Sequence, residues 1–427
     1  MDIQDLCHVK ESFEGFHAHF APTFGRKQWR ERSRDYLQAL LVQNQERCNA
    51  ENLSEVVDAS PRVLQRFLTE ARWDDDAVTA ALQQYLAPRL THPKAVWVVD
   101  ESGVVKQGKK SAGVARQYCG AVGKVENCQM GVYLAHVGPR GRAIVDKRLY
   151  LPEEWAQDAP RCEAAGIPEE KRAYQSKAAL ALGLLTRAKT LGHLQAEWVT
   201  GDDEYGKSPA FRDGVDALGL RYMLEVPSNT PTWPVLVLWF TPEAAQRGRR
   251  PQPRPQPDQR QEVRERAAAL AAKDWQAITV GEGAQGERTY LFAFERRRES
   301  RDGEPGQSVG VVHRKNLDGS EPRYYFTNAP EDTPEDTKAW VAAARWPIET
   351  EFEADKSHVG LDEYEVRGWR GWNHHITVCL LASAFLLTLQ QDWGEKPAPD
   401  HASAGLSDSL RALAAQALDG CRFALVA

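Results

Sequence analysis

Missing first are paired cysteines. The chain has seven, an odd number with no C-x-x-C pair, which argues for reduced thiols in a cytoplasm. Cys7, His8, His17 and His19 lie close in sequence, but their spacing matches no zinc pattern, and core or surface roles are expected of them. A basic start joined to an apolar run is also absent near the N-terminus, so no secretory signal is expected. No apolar run reaches the roughly 20 residues that span a bilayer. The longest, Ile376 to Leu389 (ITVCLLASAFLLTL), reads as a buried helix, and no membrane partner is expected. Net positive charge is lacking too: the formal charge is -6. Any binding to nucleic acid must therefore rest on local basic clusters, because net charge does not report its own distribution. There is no internal repeat.

What is present is a globular profile, 42% apolar and 27% charged in 427 residues, enough for two or three domains. The basic residues cluster. Lys106, Lys109, Lys110, Arg116 and Lys124 form one group and Arg140, Arg142, Lys147 and Arg148 a second. Arg296, Arg297, Arg298 and Arg301 form a third. Any one of these also fits a solvated face.

Residues 1–92 read as helices. Trp29 to Val42 has apolar positions at helical spacing. Asn52 to Val57, a break at Asp58-Ala59-Ser60-Pro61, and Arg62 to Thr69 read as helix, turn, helix. Ser60 is expected to cap the second helix and Pro61 to open it. Two short helices with a tight turn suit a DNA major groove, with Arg62 and Arg66 as contacts, and they also suit any helical bundle.

From Ala95 the texture changes to strands: Ala95 to Asp100, Met130 to Val137 and Ala143 to Leu151. A helical pattern runs from Glu169 to Thr190. The strand Ala196 to Thr200 ends at Gly201-Asp202-Asp203-Glu204-Tyr205-Gly206, before a helix from Arg212 to Leu218 and a strand from Arg221 to Val226. Arg247 to Arg260 (RGRRPQPRPQPDQR) is a Pro- and Arg-rich linker. Thr289 to Phe294 and Tyr324 to Thr327 read as strands of a β-rich insertion, not a continuation of the first sheet. Its Trp233, Trp239 and Trp275 are expected to be core rather than stacking platforms for bases. Helices return at Glu335 and run through Trp393, where His374 and His375 are expected to pack or cap. A helical tail follows Pro397-Ala398-Pro399. The boundaries drawn are 1–92, 93–226, 227–334, 335–393 and 394–427.

The stretch Trp97 to Ser111 (WVVDESGVVKQGKKS) admits two chemistries. Gly103 to Lys109 fits the front of a phosphate-cradling loop, G-x-x-x-x-G-K, behind an apolar strand. Such a loop needs Ser or Thr after the lysine and a helix start beyond it. Lys110 stands at that position, and Ala112 to Gly123 is too rich in glycine for a helix, so the phosphate loop is rejected. Asp100, read at the strand's end, is then the residue of interest. Asp202 repeats the arrangement after a second strand. A third acid lies in Arg345-Trp346-Pro347-Ile348-Glu349-Thr350-Glu351-Phe352-Glu353-Ala354-Asp355-Lys356. Pro347 suits a helix start, which puts Glu349 in the first turn and Lys356 two turns on along the same face. Arg345 lies just ahead, within reach of a phosphate near Glu349. Glu351 and Asp355 are expected to point elsewhere, into solvent, and a frame error would exchange Glu349 for Glu351 or Glu353. Two strand-end aspartates and a helix-borne glutamate supply the oxygen donors that two divalent ions need to act on a phosphodiester.

In these residues the sequence resembles the DDE transposases of bacterial insertion sequences. It is most similar to the group with the motif Tyr-x-x-Arg-x-x-x-Glu-x-x-x-x-x-x-Lys. Arg345, Glu349 and Lys356 match three named positions, and Ala342 stands where the tyrosine would be. Asp100 in VVDES and Asp202 in GDDEYG match the family aspartates, and the likeness extends from about Phe20 to Phe385.

The resemblance implies an α/β, ribonuclease-H-like core with a mixed five-stranded sheet, interrupted by the insertion and preceded by a helical DNA-binding domain. It implies Asp100, Asp202 and Glu349 as catalytic residues and ligands of two Mg2+ ions, with Mn2+ as a substitute. Water attacks a phosphodiester at the element's end, and the freed 3′-hydroxyl attacks target DNA. Implied partners are terminal inverted repeats and target duplex, gripped by a homodimer on the nucleoid. Lys106, Lys109, Lys110, Arg345 and Lys356 become candidate phosphate contacts. Two rival readings stay open: a nuclease that does not join strands, and a DNA-binding relative that has lost catalysis.

Overall fold

The computed structural model describes residues 3–43, 47–243, 251–283, 286–393 and 403–419. The chain forms two compact units, one of Met1–Ala196 with Trp346–Ala427 and the other of Glu197–Arg345.

The first unit opens with α1 (Ile3–Phe20), α2 (Lys27–Val42), α3 (Ala50–Ser54), α4 (Pro61–Thr69) and α5 (Asp75–Leu90). Ser60 occupies the N-cap of α4 with Pro61 behind it, but its hydroxyl makes no cap bond. Asp74 does cap α5, accepting from the amides of Asp76 and Ala77. Leu64, Phe67 and Leu68 are the buried stripe of α4, at the spacing of one helix face.

Four strands follow: β1 (Val96–Val105), β2 (Ala115–Cys119), β3 (Lys124–Gly138) and β4 (Gly141–Leu149). All pair antiparallel with β3, β1 along one edge and β2 and β4 along the other. Asp100 is not at a strand end as expected. Long β3 continues to offer partners beyond it, so β1 runs on from Asp100↔Tyr133 to Val105↔Cys128. Gly103, once the first glycine of a possible phosphate loop, lies inside this ladder. A Cβ there would meet Cys119 Sγ at 2.8 Å, so this glycine serves packing.

After α6 (Glu153–Ala156) and α7 (Ala159–Ala164) comes α8 (Lys177–Leu191). The helix expected from Glu169 begins only at Lys177, because Ser176 caps it by accepting from the Ala179 amide at 3.1 Å.

In the second unit β5 (Trp198–Gly201) leads into α9 (Asp203–Gly206) and α10 (Pro209–Ala217), and β6 (Arg221–Glu225) pairs parallel with β5. Beyond lie β7 (Pro231–Trp233), β8 (Trp239–Phe240), β9 (Arg254–Pro255), β10 (Gln261–Glu262), α11 (Val263–Ala269), β11 (Gln276–Gly283), β12 (Gly286–Arg301), β13 (Glu304–Lys315), β14 (Arg323–Thr327) and α12 (Glu335–Ala343). The inserted segment is rich in strands, but it does not stand apart from the preceding sheet. β14 pairs antiparallel with β6, Tyr325 opposite Glu225, and β13, β12 and β7 continue from it. An open β6 edge with unpaired amides and carbonyls is thereby covered. Trp233 is buried and Trp275 half-buried beneath Lys315. Trp239, expected in a core, is 55% exposed, because the two-residue β8–β9 ribbon is too small to bury both faces.

The chain then completes the first unit with α13 (Trp346–Val359), α14 (Trp369–Asp392) and α15 (Ser403–Leu418). α14 is long and apolar enough to cross a membrane by composition, yet most of it is buried inside the unit. Phe13 and Phe16 of α1 meet its Phe385 at ring separations of 5.6 and 5.3 Å. Each large apolar side chain so buried contributes about 1.5–3 kcal/mol, which makes α14 the axis of the core. His374 stacks on Trp73 at 3.7 Å. His375 meets the Gly360 carbonyl at 3.0 Å and the Tyr36 hydroxyl at 2.9 Å. Both are packing residues. Residues 247–250 of the linker, and 394–402 and 420–427 of the tail, lie outside the described residues.

Candidate active site

Asp100 is 7% exposed, and its carboxylate accepts from the amide of Glu101 at 2.8 Å. The carboxylates of Asp100 and Glu101 each bring an oxygen within 4.8 Å of the other. Two acids held this close repel unless cations neutralise them. Lys177, the first residue of α8, reaches Glu101 at 2.7 Å and takes up part of that charge. Glu101 was not singled out in the sequence, although its place beside Asp100 was the available signal.

Directly opposing residues in an antiparallel pair share one face of the sheet. Asp100 opposes Tyr133, whose ring meets Phe352 of α13 edge-on at 5.1 Å. Phe352 lies three residues after Glu349, hence on the same side of the helix. The first unit thus brings Asp100 and the Glu349 side of α13 to one sheet face. Glu349 sits in the first turn of α13, as the proline predicted, where a carboxylate is favoured by the helix's positive end.

The expectation that Glu351 and Asp355 are solvated is overturned. Glu351 is held by Arg142 of β4 at 3.0 Å and by the Ser383 hydroxyl of α14 at 3.3 Å. Asp355, one turn later, is 3% exposed, and its Oδ2 has no hydrogen-bond partner. Burial and the Glu351 carboxylate push the Asp355 carboxyl well above the usual carboxylate range, against Ser383 and Arg142. Glu353 is the exposed acid of this helix. α13 packs between β4 and α14, so acids at these two positions face protein whatever their polarity.

Asp202 belongs to the second unit. It follows β5 and caps α9, accepting from the Glu204 amide at 3.0 Å. Gly206 closes that short helix against β6: a Cβ there would lie 1.7 Å from the Glu225 carbonyl oxygen. Tyr205 is buried against Phe211 at 5.4 Å. The glycine and tyrosine of GDDEYG therefore set where the aspartate stands. Arg345 is also in this unit, beside Glu225 at 3.7 Å, a carboxylate it shares with Arg323 at 2.7 Å.

The remaining basic candidates divide. Lys106 donates to the Tyr364 carbonyl at 2.7 Å with its ammonium 3.5 Å from the Tyr364 ring centre. Burial lowers its pKa to about 8, against the pull of Asp362 and Glu365. Lys109 and Lys110 are exposed beyond β1. Arg62 and Arg66 lie on the exposed side of α4, Arg66 paired with Glu70 at 2.6 Å. Lys356 is half-buried in the last turn of α13, where a cation also suits the helix's negative end.

A carboxylate-only donor set suits a hard divalent cation and not a thiophilic one. Against known families, a model described as DDE superfamily endonuclease matches residues 19–287, a stretch that contains Asp100 and Asp202 and ends before Glu349. The chain is also similar to the probable transposase of insertion sequence element IS701 from Microchaete diplosiphon, 27% identical over 169 residues. That alignment takes in 39% of this chain and 40% of the relative, so it spans about two fifths of the relative's length.

Proposed function

This chain belongs to the DDE superfamily of endonucleases, and on that premise we propose that it is the transposase of a DNA insertion sequence. The observation that carries this reading is the family match across both aspartates, Asp100 beside Glu101 in β1 and Asp202 at the end of β5. The partial likeness to an insertion-sequence transposase supports joining as well as cutting. Membership of this superfamily implies divalent-metal chemistry; we assign two Mg2+ ions, replaceable by Mn2+. When bound, the metal supplies an activated oxygen nucleophile and stabilises the leaving oxygen.

Asp100, Asp202 and Glu349 are the carboxylates assigned to hold it. Glu349 presents its carboxylate from the first turn of α13, and α9 fixes Asp202 through its own cap bond. The spacing Arg345, Glu349, Lys356 supports the Tyr-Arg-Glu-Lys group. Ala342, at the tyrosine position, is buried on α12. The exposed side of α4 with Arg62 and Arg66, together with Lys109 and Lys110, is assigned to the phosphates of inverted repeats and target duplex. A homodimer on two ends completes the assembly.

The test is cleavage of a labelled duplex carrying the element's own end, with Mg2+ or Mn2+, by wild type and by Asp100→Ala, Asp202→Ala and Glu349→Ala. End nicking and joined product from wild type, with binding but no cutting by each variant, support transposition. Cutting without joining favours a plain endonuclease. Binding without cutting in either metal sinks the catalytic reading and leaves a DNA-binding relative.

A further inference from the structure

The acid proposed to complete the site stands on a helix whose seat is itself built from charge. Glu351 lies two residues beyond Glu349, about 3 Å along the axis and some 200° around it, so the two acids lie on nearly opposite sides of α13, and Glu351 is the one held inside. Arg142 of β4 and Ser383 of α14 hold the Glu351 carboxylate from two elements at 3.0 and 3.3 Å. The Arg142 and Glu351 side chains are 16% and 13% exposed, so water screens the pair little. Asp355 sits one turn below with an unpartnered oxygen. One guanidinium therefore serves two inward carboxyl groups, and burial keeps Asp355 from adding a second full negative charge. Without Arg142 the Glu351 carboxylate would be buried with the Ser383 hydroxyl but no opposite charge against it, a state relieved most readily by moving the helix that carries it.

Resting on the reading of Glu349 as a metal ligand, we propose that Arg142 and Ser383 are positioning residues for it. By clamping Glu351 they set the seat of α13 on β4 and α14, and so the point at which Glu349 offers its oxygen. In this assignment neither serves as a metal ligand or a phosphate contact. They act through the helix, as outer partners that orient a metal ligand commonly do.

Mn2+ binding to the full chain, followed by loss of the free-ion electron paramagnetic resonance signal, tests this without relying on cleavage. Glu349→Gln identifies the sites that depend on that acid. Arg142→Met is expected to weaken them about ten-fold, the scale on which outer-partner substitutions act. Arg142→Lys, which keeps the charge, should restore much of the loss. So should Arg142→Met with Glu351→Gln, which removes the stranded charge; a role in stability alone would lower the melting temperature and leave Mn2+ affinity of the folded protein unchanged, and that result overturns the assignment.

If Arg142→Met does not fold, Ser383→Ala decides, weaker binding supporting the clamp and wild-type binding refuting it. Wild type that neither binds Mn2+ nor cuts DNA removes this assignment and the transposase reading together. Wild type that binds and cuts, with Arg142→Met and Ser383→Ala binding Mn2+ as wild type does, removes only the positioning role.

Discussion

Replacing Gly206 by alanine adds one methyl group where α9 meets the end of β6. Its Cβ would lie 1.7 Å from the Glu225 carbonyl oxygen and 2.8 Å from the carbonyl carbon. Comfortable carbon–oxygen contact begins near 3.3 Å, so helix and strand must part by about 1.5 Å. Both groups that collide are main chain or fixed to it, and no flexible side chain can swing away. Overpacking of this kind costs about 1–3 kcal/mol, which lowers the melting temperature by about 2–4 °C per kcal/mol in domains of this size.

Asp202 caps the same short helix and must move with it. A misplacement of about 1 Å in a catalytic group lowers the rate on the order of 100-fold. The assay is nicking of the end duplex at saturating Mn2+, beside a thermal melt. Gly183→Ala is the matched control. Gly183 is inside α8 with nothing within 4 Å of its would-be Cβ, so the same methyl group should stabilise by about 0.5–1 kcal/mol and leave cleavage intact. Wild-type nicking and melting by Gly206→Ala would refute the claim that this glycine sets Asp202.

Other expectations follow from charge and burial. Lys109→Ala and Lys110→Ala should each reduce the salt dependence of DNA binding by about one unit of slope. Lys106→Ala should lower the melting temperature instead, because its ammonium is spent on Tyr364; a salt-slope change equal to that of Lys109→Ala would contradict this. Burial lowers His17, His136, His374 and His375 to about 4. At pH 7 these are neutral in the native state and mostly neutral in the unfolded one. Below about 6.5 the unfolded chain takes up protons that the native state refuses. Stability is therefore lost as pH falls from 6.5 towards 4, by up to about 3 kcal/mol per histidine. A melting temperature flat from pH 7 to 5 would refute it. Among the six described cysteines only Cys7 is exposed, and burial pushes the Cys48 thiol up to about 12. A thiol reagent should label Cys7 in the native protein and spare Cys48, Cys119, Cys128, Cys162 and Cys379 until it unfolds. Rapid native labelling of Cys48 would refute this.

Local chemistry by itself determined a good deal. Helical spacing announced α2 and α4, Pro347 put Glu349 in a first turn, and apolar length made α14 a buried helix. The failed phosphate loop was legible because a missing hydroxyl and an absent helix are local facts. Asp202 was legible for a similar reason, following a short apolar strand, and Asp100 drew notice through the apolar run before it, although β1 runs on past it. What the sequence could not decide were properties of neighbours. Whether β1 stops at Asp100 depends on how far β3 keeps offering hydrogen bonds, and whether the insertion stands alone depends on the open edge of β6. Trp239 and Asp355 reversed the usual rule, an aromatic in water and an acid in the core. Burial belongs to the surfaces that close over a residue: β4 and α14 close over Asp355, while the two-residue ribbon that holds Trp239 closes over nothing. The contact between Arg142 and Glu351 spans 209 positions; no local pattern encodes it, and only the tertiary fold brings the two charges together.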